Sequence, residues 1–336
     1  MHPVLFRIPG LDFPIRTFGV LVAAGILLSI SLWGRFLARY GDDPRNDPIR
    51  GSQIALWVVV GILVGARLMY VSVEIARYLR ADVSAEMASY LQAENRAQAA
   101  ASIGTEGAEA ARKVVVGYDF LHDPFKIFLI WQGGLVMYGG LIGGVLVGVW
   151  MARRHQLDVW NAMDTGLVCG FFGLMVGRWG CLFVGDDYGR IVPERFQDSW
   201  MPLQLSSGGA VGFLTLRVPE LDWLRRNPES LFDHELAGSV LWSMQVWLSL
   251  NALLVALVGW AVLARRRTYG VAAAWMMIQY ALGRFVIEYF RGDEIRGVWF
   301  GGALSTSQIV SILLAAFGIF LLVKRPGRKV AALHAV

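Results

Sequence analysis

The chain has 336 residues, 56% of them hydrophobic and 17% charged, with a formal net charge of +5. Soluble domains carry about 25% charged residues, and the deficit here coincides with long apolar runs, which excludes a soluble globule, a disordered chain and a disulfide framework. The basic residues gather in segments between those runs, a topology signal and not a nucleic-acid surface, so no nucleic-acid partner is expected.

In chain order, candidate membrane-spanning helices run near Phe18–Leu37, Gln53–Val73, Ile127–Met151, Val159–Val184, Gly238–Leu263, Gly270–Phe290 and Leu304–Leu322. Each approaches or exceeds the roughly twenty residues that cross a hydrocarbon core. The first lacks the small-residue cleavage site of a removable signal peptide. Basic clusters follow the first span (Arg35, Arg39, Arg45, Arg50), the third (Arg153, Arg154), the fifth (Arg265, Arg266, Arg267) and the seventh (Lys324, Arg325, Arg328, Lys329). All fall on one side, which the positive-inside rule makes cytoplasmic. The expected fold is an all-α polytopic membrane protein of seven transmembrane helices, N-terminus out and C-terminus in, forming one integral-membrane domain over residues 1–336. Two outer loops are long. Residues 74–126 include the Ala- and Glu-rich stretch Ala81–Lys113, whose helix formers and weak apolar stripe predict a surface helix or pair of helices near the headgroups. Residues 185–237, with Pro, Gly, Asp and Trp, predict a small outer-face head between spans four and five.

Charges inside spans are costly unless paired or facing a polar cavity. Arg67 lies late in span two and Arg178 late in span four; span six carries Tyr280, Arg284 and Glu288, with Arg291 at its end. In the expected topology these residues, and Tyr138 early in span three, occupy the outer half of the membrane. Several guanidinium groups at one depth predict a pocket for an anionic lipid headgroup, because the planar fork matches phosphate and keeps its charge. Tyr280, Arg284 and Glu288 step by four along one helix face, which sets Glu288 to pair with Arg284. The alternative, stronger for Arg67 and Arg291 near span ends, is a salt-bridged packing residue or one snorkelling to the interface.

Gly140, Gly144 and Gly148 make a small-residue stripe for close helix packing; a second reading leaves room for part of a lipid beside Tyr138, at Gly139 and Gly140. Cys169 and Cys181 sit twelve apart in one apolar segment, neither a metal-ligand nor a secreted-disulfide spacing. Cys181 shares the face of Arg178, which favours a thiolate, although a buried membrane cysteine is ordinarily inert. The segment Gly177–Arg190, GRWGCLFVGDDYGR, brackets Asp186, Asp187 and Tyr188 between two Gly-Arg units.

With these pieces in order, the chain resembles the bacterial prolipoprotein diacylglyceryl transferases over most of its length, apart from Ala81–Lys113. Gly177–Arg190 is similar to the family signature, which opens on Gly-Arg, continues Gly-Asn-Phe and closes on Gly-Arg. Supporting pieces are His2-Pro3, the Gly19-led first span, Gly65-Ala66-Arg67, the Gly133–Gly144 run, Arg284-Phe-Val-Ile-Glu288-Tyr-Phe-Arg291 with Asp293, and Leu304-Ser-Thr-Ser-Gln308.

The resemblance implies an enzyme of the bacterial inner membrane, acting toward the outer leaflet. Its partners would be membrane lipids, phosphatidylglycerol above all, and prelipoprotein signal peptides bearing a lipobox cysteine. The diacylglyceryl group passes to the cysteine thiol, a thioether forms and glycerol phosphate leaves; no cofactor and no metal are required. Fixed positive charge suits both the thiolate and the departing phosphate. By matching motif positions, Arg178 is implied to bind the headgroup and Arg284 to stabilise the phosphate as the bond breaks. Tyr280 and Glu288 flank Arg284, while Gly189 and Arg190 close the signature.

The chain departs from the pattern. Tyr138 stands where most members have a histidine proposed as base, Cys181 replaces asparagine, Asp186 replaces glutamate and Phe18 replaces a tyrosine. Of the His-Pro-x-Gln-x-Tyr-Glu motif before span five only Gln245 remains. Tyrosine titrates near 10 when unperturbed, so Tyr138 acts as a base only if nearby arginines lower it. Other readings therefore stay open: a non-catalytic homologue binding anionic phospholipid or lipoprotein signal peptides, or a transferase with a changed donor or acceptor.

Overall fold

The computed structural model describes residues 3–8, 13–81, 85–93, 114–129, 133–292, 297–300, 303–324 and 327–330. Among these, the long helices are α1 (Thr17–Tyr40), α2 (Asp47–Arg80), α5 (Met137–Arg154), α6 (Val159–Val184), α8 (Met244–Arg265), α9 (Val271–Glu288) and α10 (Thr306–Lys324). The shorter ones are α3 (Ala85–Gln92), α4 (114–122) and α7 (Leu221–Arg226). Five of the long helices, α1, α2, α6, α8 and α10, are long and apolar enough to cross a membrane. The other two have 18 residues each and carry their charges within that length, Arg153 and Arg154 in α5, Arg284 and Glu288 in α9. Large apolar side chains stay uncovered along these helices, among them Leu27, Leu141, Leu254, Leu282 and Leu313, as lipid-facing surfaces require. The protein is a multi-pass, all-α membrane protein.

Three boundaries differ from the apolar runs. The run from Ile127 starts no helix: Pro124–Phe128 is a 3₁₀ turn, Gly133 and Gly134 have φ of +90° and +75°, and the helix begins at Met137. The run from Gly238 opens with a strand, Val240–Trp242, before α8 starts at Met244. Conversely α2 continues past Val73 to Arg80, where Arg77 pairs with Glu74 one turn back at 2.8 Å.

The chain divides into two compact units. In the unit Gln53–Gln156, α3 buries Tyr90 and Leu91 with Val114, against Tyr78 and Tyr118. The rest of the Ala- and Glu-rich stretch, residues 94–113, lies outside the described residues.

In the unit Met1–Ser52 with Leu157–Val336, α6 packs against α1, α8 and α9, and α9 packs against α8 and α10. The strand pair β1 (Val4–Ile8) and β2 (Phe13–Arg16) precedes α1. Between α6 and α8 lies an antiparallel sheet in the order β3 (Leu203–Gln204), β4 (Ala210–Val211), β5 (Thr215–Arg217), β6 (Val240–Trp242). Its apolar face joins Leu182, Val218, Leu224 and Phe232 to Val211, Leu216 and Leu241 in one buried cluster. A final pair, β7 (Val298–Trp299) and β8 (Leu304–Ser305), leads into α10.

At the α8–α9 connection a buried ionic knot replaces apolar packing. Asp164 of α6 pairs with Arg266, their side chains 0% and 3% exposed. The same carboxylate accepts the backbone N–H groups of Gly270 and Ala273 at 2.8 and 2.7 Å, satisfying donors at the start of α9. Arg266 also donates to Asn161 Oδ1 at 2.6 Å. Next to it the buried Tyr269 donates its hydroxyl to Asp42 at 2.6 Å; burial, and then that carboxylate, push its phenol above the usual value.

Candidate active site

The site is built where α6 ends. Gly185 adopts a left-handed conformation, φ +86°, and its N–H returns to Cys181 O at 2.9 Å, the geometry glycine supplies at helix C-termini. The chain then folds back on itself. Asp186 is exposed and its carboxylate accepts the N–H of Asp187 at 2.8 Å. Asp187, also left-handed at φ +56°, directs its carboxylate to two arginines, meeting Arg178 Nη1 at 2.5 Å and Arg291 Nη2. The three side chains are 14% exposed or less.

Backbone pairing holds this turn. Gly189 bridges Arg291, Arg190 N–H donates to Phe290 O at 2.9 Å, and Trp242 N–H donates to Arg190 O at 3.0 Å. Gly189 lies so close to Trp242 that a Cβ would strike its backbone. Arg190 is exposed and donates Nε to Arg291 O at 2.8 Å. Gln245, at the start of α8, is buried and donates to Asp186 O at 2.7 Å. Cys181 is buried one turn before the fold-back, and neither it nor Cys169 is in a disulfide.

Arg284 lies about 10 Å of helix rise before Arg291. It pairs with Glu288 at 2.6 Å, both side chains under 10% exposed, and donates to Ser307 Oγ at 3.3 Å. Glu288 in turn accepts from Ser305 Oγ at 3.1 Å, and the N–H of Ser305 donates to Gln308 at 2.9 Å. Tyr280, one turn before Arg284, packs on Phe171 with ring centroids 5.2 Å apart. Thus Arg178, Arg284, Glu288, Tyr280, Cys181, Asp186, Gly189, Arg190 and Arg291 all belong to one unit.

The expected residues of the other unit are placed differently. Arg67 is 6% exposed, and its guanidinium donates to the carbonyls of Lys126, Ile127, Leu129, Gly133 and Gly134 at 2.7–3.4 Å. Its face meets Phe120 and Tyr70 at 5.3 and 5.6 Å. All five donors of a guanidinium are thereby engaged, and Arg67 anchors the chain entering α5. Tyr138 is half-buried in the first turn of α5. Gly139 is filled by the backbone of Gly65 and by Met69, and Gly140 by Ile62 and Ala66. Their lack of side chains serves helix approach. The tightest approach is at Gly139 and Gly143, with Gly140, Gly144 and Gly148 against side chains of α2.

Arg67→Ala is accordingly expected to strand several carbonyls in a low-polarity environment, at a cost of several kcal/mol. Its measurable signs are a marked drop in the thermal midpoint of the detergent-solubilised protein and poor recovery from membranes.

Asp187, Ser305 and Ser307 were not singled out from the sequence as site residues. Two adjacent acids beside a Gly-Arg pair were the available signal for Asp187, and only the left-handed turn shows which of them reaches the arginines.

A multi-pass helical membrane protein with arginines held by buried carboxylates is the class that fold and site define. Residues 3–324 match the sequence profile described as prolipoprotein diacylglyceryl transferase. The chain belongs to the prolipoprotein diacylglyceryl transferase family. Relatives named phosphatidylglycerol–prolipoprotein diacylglyceryl transferase include that of Synechococcus elongatus, 28% identical over 326 residues, 96% of this chain and 86% of the relative. That of Geobacter sulfurreducens is 25% identical over 330 residues, 98% and 97% of the two chains. That of Halalkalibacterium halodurans is 27% identical over 309 residues, 92% and 82%.

Proposed function

We propose that the protein carries out the reaction of its family on phosphatidylglycerol and a prelipoprotein cysteine, using the arginine–carboxylate cluster as the headgroup and leaving-group site. Sulfur forms a bond to the terminal glycerol carbon of the diacylglyceryl group, the carbon–oxygen bond to phosphate breaks, and glycerol phosphate leaves. Arg178 binds the phosphate. Arg284, held by Glu288 and Ser307, meets the charge that grows on the leaving oxygen. Tyr138 handles the thiol proton, and Tyr280 packs the approach to Arg284. The membrane is the bacterial inner membrane, crossed seven times with the N-terminus out, the cluster lies toward the outer leaflet, and residues 185–237 form the outer-face head. The observation that carries this reading is the set of arginines fixed by buried carboxylates at the ends of α6 and α9.

The test uses purified protein in detergent with phosphatidylglycerol and a lipobox peptide, read by mass spectrometry for diacylglyceryl-modified cysteine. Product is expected with the cysteine peptide and absent with a serine peptide. A folded protein that binds phosphatidylglycerol and forms no product is instead the lipid-binding homologue, the reading favoured by the tyrosine in place of the family's histidine.

Tyr138→Phe separates proton transfer from binding. It is expected to retain phosphatidylglycerol binding and to lose about 10²–10⁴-fold in turnover, the usual contribution of a positioned acid or base. Tyr138→His should retain turnover. Unchanged turnover in Tyr138→Phe removes the proton role of the hydroxyl.

A further inference from the structure

We propose that Asp187 is a competing counter-anion that makes the headgroup site prefer a singly charged phosphodiester to a doubly charged phosphate monoester, and so speeds release of the product. This rests on the headgroup site assigned above.

The geometry carries the argument. One carboxylate bridges Arg178 and Arg291, with one oxygen on each guanidinium, so it occupies donors that a phosphate oxygen would also take. The carboxylate is presented from a left-handed, non-glycine backbone, φ +56°, which aspartate tolerates better than most residues. Arg284, seven residues before Arg291, is engaged by Glu288. An anion that binds Arg178 and Arg291 must therefore share these two guanidinium groups with the Asp187 carboxylate.

The reaction changes the ligand's charge. As the sulfur–carbon bond forms and the carbon–oxygen bond breaks, the bridging oxygen stays with phosphorus. The thiol proton ends on the leaving phosphate and is lost to water at neutral pH, since the second ionisation of a phosphate monoester lies near 6. The diester is a monoanion, and the product becomes a dianion facing Asp187 across the same two arginines. Like charges at this range repel, more strongly where water is scarce. Product is thus expelled by the residue that tolerated substrate.

The experiment measures displacement of a fluorescent phosphatidylglycerol from the purified full-length protein by two soluble probes at pH 8. These are glycerophosphoglycerol, a monoanionic diester, and glycerol phosphate, a dianion. In the wild type the diester is expected to displace the lipid at concentrations about tenfold lower than the monoester, a margin of about 1.4 kcal/mol. Asp187→Asn should bind glycerol phosphate about tenfold or more tighter, reversing the order, and should lower kcat and KM together as product release becomes limiting. Asp187→Glu, which keeps the charge, should retain the wild-type order.

Equal or stronger displacement by the monoester in the wild type overturns the proposal without any variant. So does weaker binding of both probes in Asp187→Asn, which makes the carboxylate a mere positioner of the arginines. Arg178→Ala is the separate arm: undiminished lipid binding there refutes the headgroup site itself.

Discussion

Arg284→Ala should abolish diacylglyceryl transfer, with turnover falling by about 10²–10³-fold or more, the loss seen when one aligned donor is taken from a developing anion. The donor is effective because it is held in place before reaction. Glu288 at 2.6 Å and Ser307 at 3.3 Å fix the guanidinium, so no reorganisation is needed as charge moves onto the leaving oxygen. The single variant also leaves the Glu288 carboxylate buried without its cation, a defect of about 3–5 kcal/mol in stability. Loss of activity alone therefore does not separate chemistry from folding. The double variant Arg284→Ala/Glu288→Gln removes the orphaned charge; it should regain most of the thermal midpoint and none of the transfer. Arg284→Lys keeps a charge but loses the fork, and an intermediate rate is expected. Transfer restored in the double variant would reduce Arg284 to a structural partner of Glu288.

The second large effect lies away from the chemistry. Asp164→Asn should destabilise the protein by about 3–5 kcal/mol, because Arg266 is left as a buried cation without a full counter-charge. Arg266→Ala should cost a similar amount for the mirror reason. The pair is more than an ion pair, since Asp164 also receives the N–H groups of Gly270 and Ala273 at the start of α9. Replacing both partners by apolar residues, Asp164→Leu with Arg266→Met, removes the charge problem but leaves those donors unmatched. Recovery should be partial, with about 1–3 kcal/mol still missing. Thermal denaturation in detergent reads all four proteins. Full recovery in the double variant would show that the helix-start bonds contribute little.

The long helices and the polar face of α9 were legible because both depend on local periodicity. Apolar runs set the helices, and steps of four residues put Tyr280, Arg284 and Glu288 on one stripe. What escaped depends on contacts between distant residues or on backbone hydrogen-bond supply. Arg266 reads as one of three topology-setting arginines, and nothing local shows that Asp164, 102 residues earlier, takes it into the core. Arg67 reads either as a headgroup ligand or as a packing residue near a span end, and nothing local shows the carbonyls it meets. The start of α5 was misplaced because hydropathy counts Ile127–Val136 as apolar, while backbone geometry at Gly133 and Gly134 forbids a helix there. Asp187 was hidden beside Asp186, since adjacent residues on a left-handed turn point in different directions that no pattern records. The site's arginines were legible as charges within apolar spans; the carboxylate between two of them came only from the fold.

The grip of Arg67 on five carbonyls has an evolutionary consequence. In hydrocarbon, backbone without a helix or sheet survives only if something else satisfies its polar groups. A single guanidinium does so for the carbonyls of Lys126, Ile127, Leu129, Gly133 and Gly134, and it sees carbonyl positions, not side chains. Side chains at Lys126, Ile127 and Leu129 should therefore drift among relatives, while Gly133 and Gly134 stay fixed by their positive φ and the spacing stays constant: one inserted or deleted residue moves the carbonyls out of reach of a fork whose geometry is fixed.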